Sequence, residues 1–303
     1  MKKMQITVLI ATRNRVKELQ TTLKKSAFLL HNKEVEFIIC DDNSSDGTCQ
    51  YISQNYPEIK LLKNKSQKGI FYCRNLMFNH VKTKYAITID DDINFIYPFE
   101  IIDVVNYFEA NSECAVMAFR IFWGVDLPNS LDCDELPIKV KSFGAGAHAI
   151  KMEDWNTIPK LPEWFIFYGE EDFISIQLFK KRKEVHYTPN FFVQHRVNLK
   201  NRKKDKDYQI RLRRSLRSGW YLYILFYPWA LIPKRFLYTV WVQFKNKVFK
   251  GDFKAFVAII QAMGDVVINM PRLLKNTNRL SKKEFFEYSK LPEAKLYWSP
   301  KKS

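Results

Sequence analysis

Five short segments carry side chains able to do chemistry. The carboxylates Asp90-Asp91-Asp92 directly follow the apolar run YAITI. Like charges this close resist ionisation, and a divalent cation removes that cost. Hard oxygen donors suit Mg²⁺ or Mn²⁺, which keep waters and bridge to phosphates. A solvated acidic loop is the alternative for such a triplet taken alone. Asp41-Asp42-Asn43-Ser44-Ser45-Asp46-Gly47-Thr48 closes the run FIIC. Asp, Asn, Ser and Gly make turns and helix caps, which accounts for Asp46 and Gly47. It does not account for two carboxylates ending an apolar strand, where one could accept an N–H from a base edge. Arg74 in GIFYCRN could pair with phosphate through its planar fork, or be an exposed helix cation. Glu170-Glu171-Asp172 opens a helix, either as acids favoured by the helix dipole or as a general base for a hydroxyl. His195 in VQHR is by itself an ordinary histidine. His31, His80, His148 and His186 show no ligand spacing, which argues against a zinc site.

The elements that must position these groups read as alternating strands and helices. Ile6–Ala11 is a continuous apolar run of buried-strand length. Val16, Leu19, Leu23, Ala27 and Leu30 follow at helical steps, with Asn14 as a candidate cap. Val35–Cys40, Ile59–Leu62 and Tyr85–Ile89 read as the next strands. Helices are expected around Cys49–Tyr56 and Cys73–Val81. Such alternation implies βαβ units and a mostly parallel sheet, whose ligands collect at the carboxyl ends of the strands. Those ends read Thr12-Arg13-Asn14, Asp41-Asp42-Asn43 and Asp90-Asp91-Asp92. No GxGxxG follows the first strand, so a dinucleotide fold is disfavoured.

In order and approximate spacing, VLIATRNR, IICDDNSSDGT, GIFYCRN, ITIDDD, YGEEDF and VQHR resemble the motifs of glycosyltransferase family 2. The resemblance covers roughly residues 4–200. It implies an inverting sugar transferase with a GT-A fold, Rossmann-like with a mostly parallel central sheet, and a Mn or Mg cofactor. Carried over by position, Thr12 and Arg13 line the nucleotide, and Asp42 reads the uracil or thymine N–H. Arg74 stands at the diphosphate. Asp92 and Asp90 form the DxD, with Asp90 and Asp91 competing for the ribose. Asp172 is the base, with Glu171 its one-residue alternative, and His195 approaches the metal. Trp164 and His148 are acceptor candidates. No QxxRW-type motif is found, so transfer of one hexose-type sugar is expected, from a UDP- or dTDP-sugar to a glycan or lipid-linked glycan. The tail resembles those of bacterial surface-polysaccharide transferases.

Composition bounds the rest. Over 303 residues, 47% are apolar and only 9 are glycine, which excludes global disorder and collagen-like chains. The five cysteines show no metal-finger spacing and read as reduced thiols. The N-terminus, MKKMQITVLIATRNR, reads as a first strand rather than a signal peptide. The net charge of +17 is uneven: Lys180–Arg217 holds fourteen Lys+Arg against three acids. The apolar Gly219–Pro233 follows, broken by Pro228, and Phe253–Met270 is interrupted by Lys254 and Asp265; neither reads as a convincing span. Two parts follow: a transferase domain at 1–200 and a basic, aromatic helical extension at 201–303. The extension reads as an amphipathic segment on an anionic membrane surface, through Trp220, Tyr221, Tyr223, Phe226, Tyr227 and Trp229. The expected location is cytoplasmic, peripheral on the inner face of the plasma membrane. A solvated basic face and packing of these aromatics onto the α/β domain are the bland alternatives; nucleic acid is disfavoured. Two competing functions remain: a non-catalytic membrane- or nucleic-acid-binding protein on a degenerate transferase fold, and a nucleotidyltransferase. The latter would carry a Gly-rich phosphate loop that TRNRVKE lacks.

Overall fold

A computed structural model describes residues 5–127, 131, 134–197 and 207–294. In chain order the elements are β1 (Ile6–Thr12), α1 (Val16–Lys25), α2 (Ala27–Leu30), β2 (Val35–Asp41), α3 (Thr48–Asn55), β3 (Lys60–Lys63) and α4 (Ile70–Phe78). Next come β4 (Tyr85–Ile89), β5 (Ile93–Phe95), α5 (Ile101–Ala110), β6 (Cys114–Trp123), β7 (Ile138–Val140), β8 (Ala147–Lys151) and α6 (Met152–Trp155). The chain continues through α7 (Glu170–Lys180), β9 (Glu184–His195), α8 (Tyr208–Phe226), α9 (Ile232–Asn246), α10 (Phe253–Lys275) and α11 (Lys282–Ser289). The α/β architecture with a helical C-terminal extension is thus as expected. Its junction near residue 200, and Cys133, lie outside the described residues.

One nine-stranded sheet runs in the order β3-β2-β1-β4-β8-β6-β9-β5, with β7 beside β9. β1, β2, β3 and β4 pair in parallel, whereas β8 is antiparallel to both its neighbours. Along β1 the side chains alternate, with Ile6, Val8 and Ile10 in one core layer and Leu9 in the other. Helices α1, α3 and α5 cover the first layer; α4, α7, α8, α10 and α11 cover the second. Burial on both faces is why these strands read as continuous apolar runs.

The extension shares the second layer's core. On α8, Trp220, Tyr221, Ile224, Leu225 and Phe226 are buried: Tyr221 packs 5.2 Å from Phe165 and Phe226 lies 5.5 Å from Phe173, centroid to centroid. This corrects the aromatic lipid contact read from the sequence. Tyr223 and Tyr227 are half-buried, Tyr227 against Phe285, and of the six only Trp229 is exposed, beneath the Arg279 guanidinium. The basic run is also partly internal. Arg213 donates twice to Asp265 of α10 (2.7 and 2.5 Å), and Arg217 donates to the Phe165 carbonyl. α10 is one helix long and apolar enough to cross a bilayer, yet it lays Ala255, Ile259, Ala262 and Asp265 inward.

Candidate active site

The carboxyl ends of β1, β2 and β4 open into a cleft of about 770 Å³. Thr12, Arg13, Asp42, Arg74, Asp90, Asp91, Asp92, Glu170, Glu171 and His195 all line it. The parallel register explains the first of these meetings, since Thr12 sits opposite Asp41 at the ends of β1 and β2. Asp42 accepts from Asn64 Nδ2 (2.8 Å) and from the backbone N–H groups of Lys68 (2.7 Å) and Gly69 (2.9 Å). Burial opposes its ionisation, but these donors win and keep its proton affinity below the usual carboxylate value. A carboxylate offers about four acceptor positions. Three are filled by these N–H groups, and the Cys73 thiol also bonds the carboxylate. Gly69, at φ +94°, makes the turn that aims two N–H groups at Asp42. Asn14 does not cap α1: it lies at φ 51° and accepts from Ser45 N, while Asp46 takes the Val16 N–H at 2.9 Å.

The three acids after β4 separate into distinct environments. Asp90 lies under the Gly144–Gly146 loop, and a side chain at Gly146 would meet Asp90 Oδ2 at 3.0 Å and Ile93 Cδ1 at 2.7 Å. Burial pushes its proton affinity up, and Arg74 partly offsets this. Asp91 is buried, accepts from Thr12 Oγ1 (2.8 Å), and is pushed up to about 7 by burial despite Arg15. Asp92 behaves oppositely. Burial is outweighed by His195, whose Nε2 lies 3.3 Å from Oδ1, and by Arg15, which donates to Oδ2 at 2.8 Å. Asp92 therefore stays ionised well below the ordinary carboxylate range. The antiparallel β5–β9 pair brings His195 here, opposite Ile93, and Arg196 N donates to the Asp92 carbonyl.

Among the described residues no three His, Cys, Asp or Glu side chains form a ready metal cage. Hard divalent cations are commonly held by one or two carboxylates plus substrate phosphates and water. An Asp92 of lowered proton affinity beside an imidazole, with Asp90 facing the same cleft, fits that donor set. Arg15, with a side chain 43% exposed, supplies positive charge at the same position through its pairs with Asp91 and Asp92.

Arg74 lines the cleft with its guanidinium committed to protein partners. The buried guanidinium donates to Glu170 (2.6 Å), Asp90 (2.8 Å) and the Ala145 carbonyl (2.9 Å), with only Nε lacking a partner. It clamps the acid triplet to α7. Glu170 is raised to about 7 by burial, against the pull of Arg74. Glu171 faces the cleft and is raised to about 8, by burial and then by Asp172. Asp172 does not line the cleft. Its carboxylate bonds the Ser142 side chain near Lys141, and burial raises its proton affinity too.

Both acceptor candidates are displaced. His148 is fully buried on β8, with its ring 4.5 Å from Phe143, and burial holds it neutral. Trp164 is roofed by the C-terminal helices, 5.2 Å from Tyr221 and below Arg272. The cleft wall is instead Ile166, Phe167 and Tyr168, with Asp207, Arg211 and Arg214 from α8 and the segment before it. Sequence reasoning missed these, along with Arg15 and the pairing of Glu170 with Arg74. Positive φ at Ile166 and Tyr168 leaves no compositional trace. The arginines fall within a basic run, and their four- and three-residue steps from Asp207 are the signal that they share a helix face.

Comparison with known proteins agrees with this geometry. Residues 7–141, a little under half of the chain, match the family model "Glycosyl transferase family 2". No curated protein matches in sequence. Among solved structures, GalNAc-T7 with UDP, GalNAc and Mn²⁺ aligns at TM-score 0.54 and 14% identity, over 73% of this chain and 50% of that one. The chain thus spans about half the length of GalNAc-T7. S. aureus TarS aligns at 0.52 and 16% identity, covering 73% of this chain and 40% of that one. The mannosyltransferase PcManGT from Pyrobaculum calidifontis, in complex with GDP-Man and Mn²⁺, aligns at 0.56 and 12% identity, over 95% of this chain and 79% of its own. At these identities the likeness is one of fold, and the fold is that of GT-A glycosyltransferases.

Proposed function

We propose that the chain is a metal-dependent, inverting glycosyltransferase that moves one sugar from a nucleoside-diphosphate sugar to a hydroxyl of a glycan or lipid-linked glycan. The observation that carries this reading is the meeting of three groups in one cleft at the sheet's carboxyl edge. These are a base-reading carboxylate, Asp42, an ionised Asp92 beside His195, and a carboxylate of raised proton affinity, Glu171. Asp42 would accept the N–H of a uracil or thymine ring, with Thr12 and Arg13 beside the nucleotide. Asp90 and Asp91 are the candidates for the ribose. Asp92, with His195 and Asp90, would hold Mn²⁺ or Mg²⁺; when bound, the ion neutralises the departing diphosphate. Arg15, Arg211 and Arg214 supply further positive charge on the diphosphate side.

Glu171 is the base in this scheme, because it alone of the Glu171–Asp172 pair opens on the cleft. The acceptor oxygen forms its bond to the anomeric carbon as that carbon's bond to the diphosphate oxygen breaks. The hydroxyl proton passes to Glu171, and the nucleoside diphosphate leaves with the electron pair. A hexose donor and a role in surface-polysaccharide synthesis at the inner face of the plasma membrane complete the proposal. A screen of UDP-, dTDP- and GDP-sugars with Mg²⁺ or Mn²⁺, read as nucleoside diphosphate released, tests it. Metal-dependent hydrolysis of one donor supports the reading, and no hydrolysis of any donor with either metal removes it.

A further inference from the structure

The C-terminal helices bury Trp220, Tyr221 and Phe226, which the sequence assigned to lipid, and expose other aromatics. None of α9 is buried, and Leu237, Tyr238, Trp241, Phe249 and Phe253 are each between 56% and 72% exposed. Leu237, Tyr238 and Trp241, at steps of one and three, share one face of α9. Phe249 follows in the turn, and Phe253 opens α10. A chain of ring contacts holds the tip together. Trp241 lies 6.0 Å from Phe249 and Phe249 is 5.9 Å from Phe244. Phe244 lies 6.0 Å from Phe256, which is 6.0 Å from Phe253. Half-buried Phe244 and Phe256 therefore anchor three exposed rings in one patch.

The charges around it have one sign. Lys234, Arg235, Lys245, Lys250 and Lys254 are exposed. Between Trp229 and Phe253 the only acid is Asp252. Its carboxylate is already taken by the Tyr208 hydroxyl (2.7 Å) and the Ala255 N–H (2.9 Å). Rings and aliphatic side chains at a helix-turn-helix tip, rimmed by lysines, are complementary to an anionic lipid interface. A second copy of the chain would set the same cations against themselves. A nucleic acid would satisfy the lysines but leave the leucine and the exposed rings without an apolar medium.

We infer that the α9–α10 tip docks the protein on an anionic bilayer, with Trp241, Phe249 and Phe253 entering the interface and Lys245, Lys250 and Lys254 on the headgroups. This extends the membrane part of the proposed function to a defined face and does not depend on the reaction. Aromatic insertion supplies a component that salt does not remove, and the lysines supply one that it does.

Co-sedimentation of the full chain with phosphatidylcholine vesicles, with and without phosphatidylglycerol, tests it. Wild type should bind the phosphatidylglycerol vesicles strongly at low salt and partly at high salt. Combining Trp241→Ser, Phe249→Ser and Phe253→Ser should remove the high-salt fraction and weaken low-salt partitioning at least tenfold. Combining Lys245→Glu, Lys250→Glu and Lys254→Glu should abolish the preference for phosphatidylglycerol. Failure of wild type to bind overturns the inference. So does unchanged binding by either variant, or a wild-type dimer in sedimentation velocity that the serine variant converts to monomer without altering vesicle binding. The serine variant should hydrolyse donor in solution at the wild-type rate. A chain that hydrolyses donor and ignores vesicles refutes the docking face alone; one that binds vesicles and hydrolyses nothing refutes the reaction alone.

Discussion

Replacing Glu171 with Gln removes the proposed proton acceptor while leaving the nucleotide end of the cleft intact. Asp42, Asp92 and His195 lie on β-strand ends that α7 does not supply, so donor affinity should hold while kcat falls. The loss should be about 10² to 10⁴-fold, the usual effect of removing a general base, or about 2.7 to 5.5 kcal/mol of barrier. The pH profile makes the test specific. With its proton affinity raised to about 8, Glu171 is ionised in about a tenth of molecules at pH 7 and about nine tenths at pH 9. Wild-type kcat/KM should therefore climb roughly tenfold across that interval, and the variant should lose the climb. Stability should follow the same group. A carboxyl raised on folding contributes fully below its unfolded value near 4.5 and loses that contribution as pH rises through about 8. The Gln variant should accordingly melt above wild type at pH 9, with the gap closing at pH 5. Single-turnover assays and thermal melts read both. An active Glu171→Gln beside an inactive Asp172→Asn would refute the reasoning, as would a flat wild-type profile.

Two further outcomes follow from the same geometry. Arg74→Ala strands Glu170 as a buried, unpaired carboxylate beside a half-buried Asp90, and should cost about 3–5 kcal/mol of unfolding free energy in urea titrations. An unchanged midpoint would mean that Arg74 is no clamp. Arg211→Ala and Arg214→Ala should each raise donor KM by about tenfold, roughly 1.4 kcal/mol, with little change in kcat. No change in KM would remove the α8 wall from the donor site.

The strand ends were legible because β1, β2 and β4 are buried on both faces and print as unbroken apolar runs closed by polar residues. That pattern alone puts Thr12, Asp42 and the acid triplet at one edge of the sheet. The partners that differentiate the triplet were not legible. His195 reaches Asp92 through β5–β9 pairing across a hundred residues of chain, and Arg74 meets Glu170 from another helix. The base was ambiguous for a local reason. α7 is buried nearly all round, so its pattern carries no phase to say which of Glu171 and Asp172, about 100° apart, turns to the cleft. In the extension the sequence counts charges and rings but not their partners. Arg213, Arg217, Trp220 and Tyr221 are engaged inside, whereas Trp241 and Phe249 look no different in sequence and lie outside.

The central claim is that this cleft binds a nucleoside diphosphate through a cation held at Asp92. Calorimetric titration of UDP and dTDP into the full chain, with Mn²⁺ and then with EDTA, measures it directly. Binding should require Mn²⁺, because a diphosphate beside three carboxylates is repelled without a cation. Asp92→Asn should weaken Mn²⁺-dependent binding by about an order of magnitude or more, roughly 1.4 kcal/mol per decade. Equal affinity in EDTA and Mn²⁺, or an Asp92→Asn variant that binds like wild type, would contradict the account.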